Sequence, residues 1–338
     1  MLEWNPDIDR NIAMDLVRCT EAAALLSSRW MGRGEKEHAD QAAVDAMRAL
    51  LDTIDMDAIV VIGEGDKDEA PMLYTGERLG TGKGPKVDIA VDPVEGTRLL
   101  AHGQPNSTAV IAVAERGAFY GWQDIAYMEK IAVGPRSKGA IDIRKSVREN
   151  LDAVAQAKGM NVEDLTVVIL DRPRHEDLIR QVRDVGSRIR LITDGDVAGA
   201  LMATMPETGI DMLLGIGGAP EAVITAAAFK CFGGDLQTRL WLRNDEERRI
   251  AERDHIDVDK VFTIDDLVQG HDVMFAITGI TDGELLEGVK YIHGGATTHS
   301  MVMRSASGTV RWIQSHHKPS KLRNLALATA SRQGRASS

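Results

Sequence analysis

The amino-acid sequence predicts an α/β protein built in layers, with helices covering β-sheets. Short apolar runs of strand length, several of them closed by glycine, alternate with longer segments whose apolar residues recur at helical spacing. The length of 338 residues and a hydrophobic fraction of 43% allow a substantial core, in one large domain or two of ordinary size. Strands that alternate with helices bury their apolar faces by layering, which is the basis of the prediction.

The predicted helices follow from apolar residues at helical spacing. Residues 8–31 carry Leu16 and Trp30 on such a face and end at Gly32. The other helices are predicted over residues 37–54, 146–158, 175–185, 196–204 and 220–229.

The predicted strands are short, apolar and mostly bounded by Gly, Asp or Pro. They are expected over residues 59–62, 87–91, 108–114, 166–170, 189–192, 211–216 and 272–278. A hairpin is predicted over residues 300–314, where two alternating runs flank S-A-S-G. Residues 76–86, rich in Gly and Lys, are predicted to form a loop.

A domain boundary is predicted within residues 140–162. It gives an N-terminal α/β domain over residues 1–150 and a C-terminal α/β domain over residues 151–318. The tail over residues 319–338 is rich in Ser, Ala and Arg and is expected to be disordered.

Composition argues against several classes of protein. A net charge of −11 and an aromatic fraction of 4% disfavour nucleic acid as a partner. Cys19 and Cys231 are far apart in sequence and fit buried thiols in a reducing compartment. The first residues do not resemble a signal peptide, and the most apolar stretch, residues 210–229, is interrupted by Gly, Pro and Glu. We therefore expect a cytoplasmic protein that neither spans a membrane nor binds nucleic acid.

Two glycine-rich loops do not match nucleotide-binding motifs. Residues 215–220, G-I-G-G-A-P, hold Pro220 where a dinucleotide fingerprint needs its third glycine. Residues 80–84, G-T-G-K-G, lack the G-K-[ST] ending of a phosphate-binding P-loop. Neither loop supports a nucleotide-dependent enzyme.

The strongest chemical signal is D-P-V-E-G-T over residues 92–97, at the end of a predicted strand. Pro93 and Gly96 allow a turn in which Asp92 and Glu95 point to one side. Paired carboxylates suit hard divalent cations such as Mg²⁺ or Mn²⁺, and Thr97 is placed to hydrogen-bond a water on such a cation. The alternative is a capped turn without catalytic function, and the pattern favours function.

Other acidic residues have simpler explanations by themselves. Within G-E-G-D-K-D-E-A-P, residues 63–71, Glu64 lies between two glycines at a strand end. The charged residues that follow it, Asp66, Lys67 and Asp68, are read as a solvated loop. Asp40 and Glu221 lie near helix starts, where the helix dipole alone can explain an acidic side chain.

Seven motifs in this order closely resemble the bacterial class II fructose-1,6-bisphosphatases. They are W-M-G-R-G-E-K-E-H-A-D, V-I-G-E-G-D-K-D-E-A-P-M-L-Y, D-I-A-V-D-P-V-E-G-T, Y-M-E-K, D-R-P-R-H, D-G-D-V and G-I-G-G-A-P-E. The resemblance implies membership of the wider group of inositol-monophosphatase-like sugar phosphatases, where the hexamer is usually D-P-x-D-G-T, so Glu95 marks the class II branch. The resemblance implies a layered α/β/α/β/α sandwich of the sugar phosphatase type, with most metal carboxylates in the N-terminal domain and the sugar and phosphate contacts in the C-terminal one.

The resemblance also implies the residues of the site. Metal ligands are implied at Asp40, Glu64, Asp92, Glu95 and Glu221. Catalytic roles are implied for Thr97, Glu64 and Lys36. Substrate contacts are implied at Glu95, Gly96, Thr97, Tyr127, Arg172, Pro173, Arg174, Asp194, Gly195, Asp196 and Gly218. The guanidinium groups of Arg172 and Arg174 suit the distal phosphate, and Asp194 and Asp196 suit sugar hydroxyls.

The resulting hypothesis is hydrolysis of the 1-phosphate of fructose 1,6-bisphosphate by a metal-activated water that Thr97 orients. The resemblance further implies carbohydrate metabolism in the direction of gluconeogenesis, and a homo-oligomer (dimer or tetramer). Open alternatives are a dual enzyme that also uses sedoheptulose 1,7-bisphosphate, an inositol monophosphatase, and a sugar-phosphate-binding regulator without catalysis. The four histidines at residues 293, 299, 316 and 317 have no metal-site spacing and are expected to be structural or exposed.

Overall fold

The computed structural model describes residues 12–64, 72–121 and 125–325. The chain divides into two compact units, which are described separately. One unit comprises the described residues up to Phe119 together with those from Gly270 onward, and the other is Tyr120–Gln269.

The strands and helices are numbered in chain order. The strands are β1 (Asp57–Ile62), β2 (Arg78–Leu79), β3 (Lys86–Glu95), β4 (Thr108–Glu115), β5 (Tyr127–Val133), β6 (Thr166–Leu170), β7 (Arg188–Ile192), β8 (Met212–Gly218), β9 (Asp235–Leu240), β10 (Val261–Thr263), β11 (Met274–Gly279), β12 (Lys290–Ile292), β13 (Gly295–Arg304) and β14 (Thr309–His317). The helices are α1 (Ala13–Ser27), α2 (Lys36–Leu51), α3 (Thr97–Ala101), α4 (Val147–Lys158), α5 (Glu176–Val185), α6 (Asp196–Met202), α7 (Ala219–Phe232), α8 (Asp245–Arg253) and α9 (Ile264–Leu267).

The first unit is built on a mixed sheet in the order β12-β13-β11-β4-β3-β1-β2, with β14 also paired to β13. The pair β1/β3 is parallel, whereas β3 pairs antiparallel with β4. Helices α1 and α2 cover this sheet and contribute Leu16 and Met47 to a core shared with Ile89 and Ile111. Burial of these apolar side chains is the main force that holds the helices on the sheet.

The second unit has a mixed sheet in the order β10-β9-β5-β8-β6-β7. Val167, Ile169 and Met212 pack with residues of α4 and α5 in one core cluster. A side chain at Gly199 of α6 would instead meet Val168 and Leu213. Because successive residues of a strand point to opposite faces, helices cover both faces of this sheet.

These two mixed sheets with their helices confirm the predicted α/β class and agree with a layered sandwich of the sugar phosphatase type. The predicted hairpin is also confirmed, and it is longer than expected because residues 296–304 of β13 pair with the whole of β14. The predicted loop over residues 76–86 contains the two-residue strand β2. Strands β5 and β9 and helix α8 were not predicted, since their mixed charged and apolar residues give no clean apolar run.

The predicted division at residue 150 differs from the one in the structure. Residues 120–150 belong to the second unit, and the chain returns to the first unit at Gly270. Strand β11 makes this return because it pairs with both β4 and β13.

The expectation of disorder is wrong for residues 319–325, which are helical. Leu322 and Leu325 are buried there and pack with Leu25 of α1. Burial of these two apolar side chains fixes the start of the tail. Residues 326–338 of the predicted tail lie outside the described residues, and so does the predicted solvated loop with Asp66, Lys67 and Asp68. Within the part of the chain that the structure describes, none of the helices has the length and apolar character that a membrane span requires.

Candidate active site

In the first unit, predicted site carboxylates lie at the carboxyl ends of neighbouring parallel strands. Glu64 follows β1 by two residues, and Asp92 and Glu95 lie in the last four residues of β3. Since β1 and β3 run in the same direction, their carboxyl ends meet at one edge of the sheet. This edge is where α/β proteins commonly bind ligands.

An irregularity in β3 sets the directions of Asp92 and Glu95. The register of β3 against β4 shifts between these two residues, and such a bulge re-aims side chains at a strand end. Asp92 Oδ1 accepts a hydrogen bond from the Val94 amide at 3.0 Å. Asp92 and Glu95 each offer a carboxylate oxygen, and these atoms lie within 4.8 Å of each other. Their spacing and their oxygen chemistry fit a hard divalent cation.

Thr97 begins α3 immediately after Gly96. Gly96 has φ +82°, a left-handed conformation that favours glycine, and a side chain there would press against Leu99. The Thr97 hydroxyl donates to Asp40 Oδ1 at 3.0 Å and lies 3.1 Å from the Val94 carbonyl oxygen. The structure thus pairs Thr97 with one particular carboxylate among the predicted ones.

Burial raises the pKa of Asp40 to about 6, while the hydrogen bond from Thr97 and the charge of Lys36 act in the opposite direction. Lys36 is the first residue of α2, four residues before Asp40, so both side chains project from the same face of that helix. A carboxyl group with such a pKa can exchange a proton near neutral pH.

Glu64 is exposed, and its amide donates to the Leu73 carbonyl at 3.0 Å. A side chain at the preceding Gly63 would overlap that same carbonyl oxygen. Glycine at residue 63 is therefore required for the close backbone approach that fixes Glu64 at the end of β1.

In the second unit, the predicted substrate residues share one edge of the sheet. Most of them lie at or just after the carboxyl ends of β6, β7 and β8, which are parallel to one another. Tyr127 instead begins β5, which is antiparallel to β8 and whose first residue pairs with the last residue of β8. The edge carries Tyr127, Arg172, Pro173, Arg174, Asp194, Gly195, Asp196 and Gly218. One edge of this sheet thus collects residues from four separate segments.

Two arginines lie against the ring of Tyr127. The guanidinium carbon of Arg174 is 5.0 Å from the centre of the Tyr127 ring, and that of Arg243 is 5.2 Å from it. Arg174 also donates to the Ile216 carbonyl oxygen from Nε at 3.1 Å and from Nη2 at 2.8 Å. Arg172 Nη2 lies 3.6 Å from Asp194 Oδ1. These contacts hold cationic groups at the edge, where an anion can be bound.

A cavity of about 300 Å³ lies on the side of this sheet that α4 and α5 cover. Arg174 lines it together with Arg144, Lys145 and Arg239, and the one acidic residue of the lining is Glu129, which pairs with Arg239. The lining is therefore net positive despite the charge of −11 on the whole chain.

Asp196 starts α6 after Gly195, which has φ +80°. Its Oδ2 lies 2.6 Å from Lys130 Nζ, and both side chains are buried. A side chain at Gly217 would overlap the Asp196 carboxylate and press on Lys130 Nζ. The missing side chain at residue 217 therefore creates the space for this ion pair.

Glu221 lies in the first turn of α7, next to Pro220. Its Oε2 is buried and has no hydrogen-bond partner among the described residues. Burial raises the pKa of Glu221, the charge of Lys130 lowers it, and Asp196 and Asp194 raise it further. A buried carboxylate oxygen without a partner is costly, and a cation would supply one, so this residue fits the metal role that the family resemblance implies.

Sequence reasoning missed Lys130, Arg243 and His175 at this edge. Lys130 gives a signal, because a lysine within the strand-length segment Y-M-E-K-I-A-V is unexpected unless it has a buried partner. Neutral His175 Nδ1 donates to the Leu170 carbonyl, while Nε2 accepts from the Ile216 amide at 2.7 Å. His175 therefore ties the turn that carries Arg172 and Arg174 to β8, and only the tertiary structure reveals it.

Comparison with known proteins places the chain in one family. The sequence profile of the family described as "Bacterial fructose-1,6-bisphosphatase, glpX-encoded" matches residues 10–317. The chain is 46% identical over 321 residues to "Fructose-1,6-bisphosphatase 1 class 2" of Escherichia coli K12. Proteins named "Fructose-1,6-bisphosphatase class 2" from Escherichia coli O6:H1 and Shigella flexneri match equally well. Each alignment covers 91% of this chain and 95% of the relative. The chain therefore belongs to the class 2 fructose-1,6-bisphosphatases of bacteria and is an enzyme, a phosphoric monoester hydrolase.

Proposed function

We propose that this chain hydrolyses the 1-phosphate of fructose 1,6-bisphosphate to fructose 6-phosphate and phosphate, with Mn²⁺ or Mg²⁺ as cofactor. The observation that carries the proposal is the hydrogen bond between Thr97 and Asp40, beside the end of the strand that bears Asp92 and Glu95. It occurs in a chain whose residues 10–317 match the family. The alternative that stays open is a dual bisphosphatase that also uses sedoheptulose 1,7-bisphosphate.

The proposed metal ligands are Asp40, Glu64, Asp92, Glu95 and Glu221. When bound, the divalent cation would polarise the phosphate oxygens and increase the acidity of water. Asp92 and Glu95 support this assignment by the spacing of their oxygens, and Glu221 supports it by its unpartnered, buried Oε2. Carboxylate ligands suit either Mg²⁺ or Mn²⁺.

Thr97 is the proposed catalytic residue that orients the attacking water. Its hydroxyl proton is directed toward Asp40, which leaves the oxygen lone pairs to accept a hydrogen bond from water. Asp40 and Glu64 are the carboxylates available to take up the proton of that water. Lys36, on the same face of α2 as Asp40, supplies a positive charge that balances Asp40. The amide of Gly96 is a further donor for the substrate.

The proposed substrate contacts in the second unit divide by chemistry. Arg172, Arg174 and Tyr127 are assigned to the distal phosphate, because guanidinium groups bind phosphate oxygens in pairs. Asp194 and Asp196 are assigned to the sugar hydroxyls, to which carboxylates offer acceptors. Pro173, Gly195 and Gly218 shape the turns and allow close approach of the backbone. Holding the distal phosphate uses remote binding energy to position the reacting one.

The test measures phosphate release from fructose 1,6-bisphosphate with Mg²⁺, with Mn²⁺ and with EDTA. Parallel assays use sedoheptulose 1,7-bisphosphate and inositol 1-phosphate. Release from the fructose compound that EDTA abolishes supports the proposal, and equal use of both bisphosphates identifies a dual enzyme. Absence of release from all three substrates with either metal would overturn the proposed reaction.

We also propose a metabolic role, an oligomeric state and a location for this enzyme. Family membership supports a role in carbohydrate metabolism, in the direction of gluconeogenesis, and a homo-oligomer (dimer or tetramer). The composition and the two reduced cysteines support a location in the cytoplasm. Sedimentation of the purified chain tests the oligomeric state, and fractionation of cells tests the location.

A further inference from the structure

Lys130 is a buried cation in the middle of β5. Its side chain is 3% exposed, and its backbone is paired with Gly215 of β8 on one side and with Thr238 of β9 on the other. A lysine in the centre of a sheet is costly to desolvate unless an anion compensates its charge. The anion here is Asp196, whose side chain is 8% exposed.

The surroundings of this pair are shaped to hold it in one geometry. The Lys130 ammonium is 2.6 Å from Asp196 Oδ2. A side chain at Gly217 would overlap Asp196 and lie within 2.9 Å of Lys130 Nζ. Asp196 is fixed in turn by its place at the first position of α6. Both side chains are almost fully buried, with the backbone of Gly217 packed against them.

The salt bridge engages Oδ2 of Asp196 and does not use Oδ1. Asp196 follows the carboxyl end of β7, at the sheet edge that also carries Tyr127 and Arg174. A carboxylate anchored through one oxygen presents the other in a fixed direction, which is how preorganised acceptors select hydroxyl groups. The Lys130 side chain is 3% exposed, and we assign it no direct contact with the substrate.

We propose that Lys130 is a positioning residue for the sugar: it acts through Asp196, which it fixes as an acceptor for a hydroxyl group of the substrate. This inference rests on the proposed function, because it takes Asp196 to face the sugar of a sugar bisphosphate. It extends that function by adding a residue that determines binding of the sugar rather than cleavage of the phosphate.

The experiment compares Lys130→Met, Asp196→Asn and the double variant with the unchanged enzyme. Readouts are KM and kcat for fructose 1,6-bisphosphate and the Kd for fructose 6-phosphate by calorimetry. We expect Lys130→Met to raise KM and Kd by about tenfold or more, with a smaller change in kcat. Because Lys130 acts through Asp196, adding Lys130→Met to Asp196→Asn should change Kd by less than about threefold.

Lys130→Arg and Lys158→Met serve as controls. Lys130→Arg keeps the charge and should restore part of the affinity for fructose 6-phosphate. Lys158 at the end of α4 forms a similar, partly buried ion pair with Asp211, which precedes β8 at the opposite end of that strand. Lys158→Met should lower the melting temperature without raising KM, so loss of stability alone does not imitate the proposed effect. If Lys130→Met does not fold, the Kd for fructose 6-phosphate is measured in Lys130→Arg and in Asp196→Asn, each against the unchanged enzyme.

Two results would overturn the inference. One is an unchanged Kd for fructose 6-phosphate in a folded Lys130→Met enzyme. The other is additive losses of affinity in the double variant, which would mean that Lys130 acts independently of Asp196. If the unchanged enzyme releases no phosphate from fructose 1,6-bisphosphate, the proposed function fails instead, and the calorimetric comparison still tests the coupling of Lys130 to Asp196.

Discussion

Thr97 and Asp40 are 57 residues apart in sequence and share a hydrogen bond of 3.0 Å. Each has an ordinary explanation when taken alone, Thr97 as a turn residue and Asp40 as a charge near a helix start. Their pairing favours the proposed catalytic role over these explanations, because a partly buried hydroxyl directed at a carboxyl group whose pKa is raised to about 6 is suited to handling a proton. At the scale of single residues, this pair is the most direct target for mutation.

Thr97→Ala should lower kcat by about 10²- to 10⁴-fold, the range typical for loss of a positioned proton-transfer group. KM should change much less, because the proposed role concerns the water rather than the sugar. Steady-state kinetics with fructose 1,6-bisphosphate measures both constants, and Thr97→Ser, which keeps the hydroxyl, is the matched control. Comparable losses in kcat and in binding would contradict the placement of Thr97 at the water.

At the scale of elements, strand β13 organises the first unit. It pairs with β11, β12 and β14, and its last residue, Arg304, forms a buried two-pronged salt bridge with Asp272 at 2.7 and 2.8 Å. The segment preceding β11 is thereby fixed to the end of β13. Strand β11 also pairs with β4, and this pairing between distant segments holds the returning C-terminal part in the first unit.

Arg304→Met should lower the free energy of unfolding by about 3–5 kcal/mol, because it leaves the Asp272 charge buried without a partner. Urea denaturation followed by circular dichroism measures this loss. Arg18→Met is the matched control, since Arg18 pairs with Asp15 on the exposed surface of α1 and should cost at most about 1 kcal/mol. Equal losses of unfolding free energy in the two variants would show that the buried pair contributes no more to stability than the exposed one.

The helical start of the C-terminal tail is attached to β13 and α1 through His317. Thr298 Oγ1 lies 2.8 Å from His317 Nε2, and Lys321 Nζ lies 2.8 Å from His317 Nδ1 and 3.4 Å from Glu21 Oε2. Burial, followed by the charge of Lys321, lowers the pKa of His317 from its ordinary value of 6.5, and Glu21 acts in the opposite direction. His317 is therefore structural, in agreement with the sequence prediction.

A lowered pKa in the folded state means that the unfolded chain binds the proton more readily. The stability contributed by neutral His317 is fully present above pH 6.5 and is lost as the pH falls through its lower folded pKa. The melting temperature should therefore fall from pH 7.5 to 5.5, and it should fall less steeply in His317→Gln. Differential scanning calorimetry across this range, with exposed His316→Gln as control, tests the prediction, and identical slopes for the enzyme and His317→Gln would refute it.

At the scale of the whole molecule, a net charge of −11 must be reconciled with an anionic substrate. Each unit has groups that can compensate the negative charge of such a substrate. The first concentrates carboxylates that suit a divalent cation at the ends of β1 and β3, and the second gathers basic residues around Tyr127 and the adjoining cavity. Cation binding and local basic groups can both offset the repulsion between protein and substrate.

Mn²⁺ at about 100 times its Kd should stabilise the folded protein by about 2.7 kcal/mol, because the unfolded chain lacks the arranged carboxylates. The measurement is the melting temperature with Mn²⁺ and with EDTA, in the absence of substrate. Glu95→Gln should reduce the increase in melting temperature that Mn²⁺ causes. Glu163→Gln, at an exposed residue of the second unit, should leave that increase unchanged. A full shift in Glu95→Gln would remove Glu95 from the proposed ligands.

The sequence by itself determined the α/β class and most of the apolar strands, because periodicity and propensity act over a few residues. It also located Asp92, Glu95 and Thr97, since a whole motif lies within one strand and one turn. It did not predict β5 or β9, whose polar residues obscure the strand pattern, nor the return of the chain to the first unit at Gly270.

Only the tertiary structure decided which distant groups meet. It paired Asp40 with Thr97, placed Lys130 beside Asp196 across 66 residues, and brought Arg174 and Arg243 to the ring of Tyr127. Such contacts depend on strand order, on register and on the absence of a side chain at glycines such as Gly217, which a local pattern does not encode. The chemistry of each residue is thus local, whereas its partner is set by the fold.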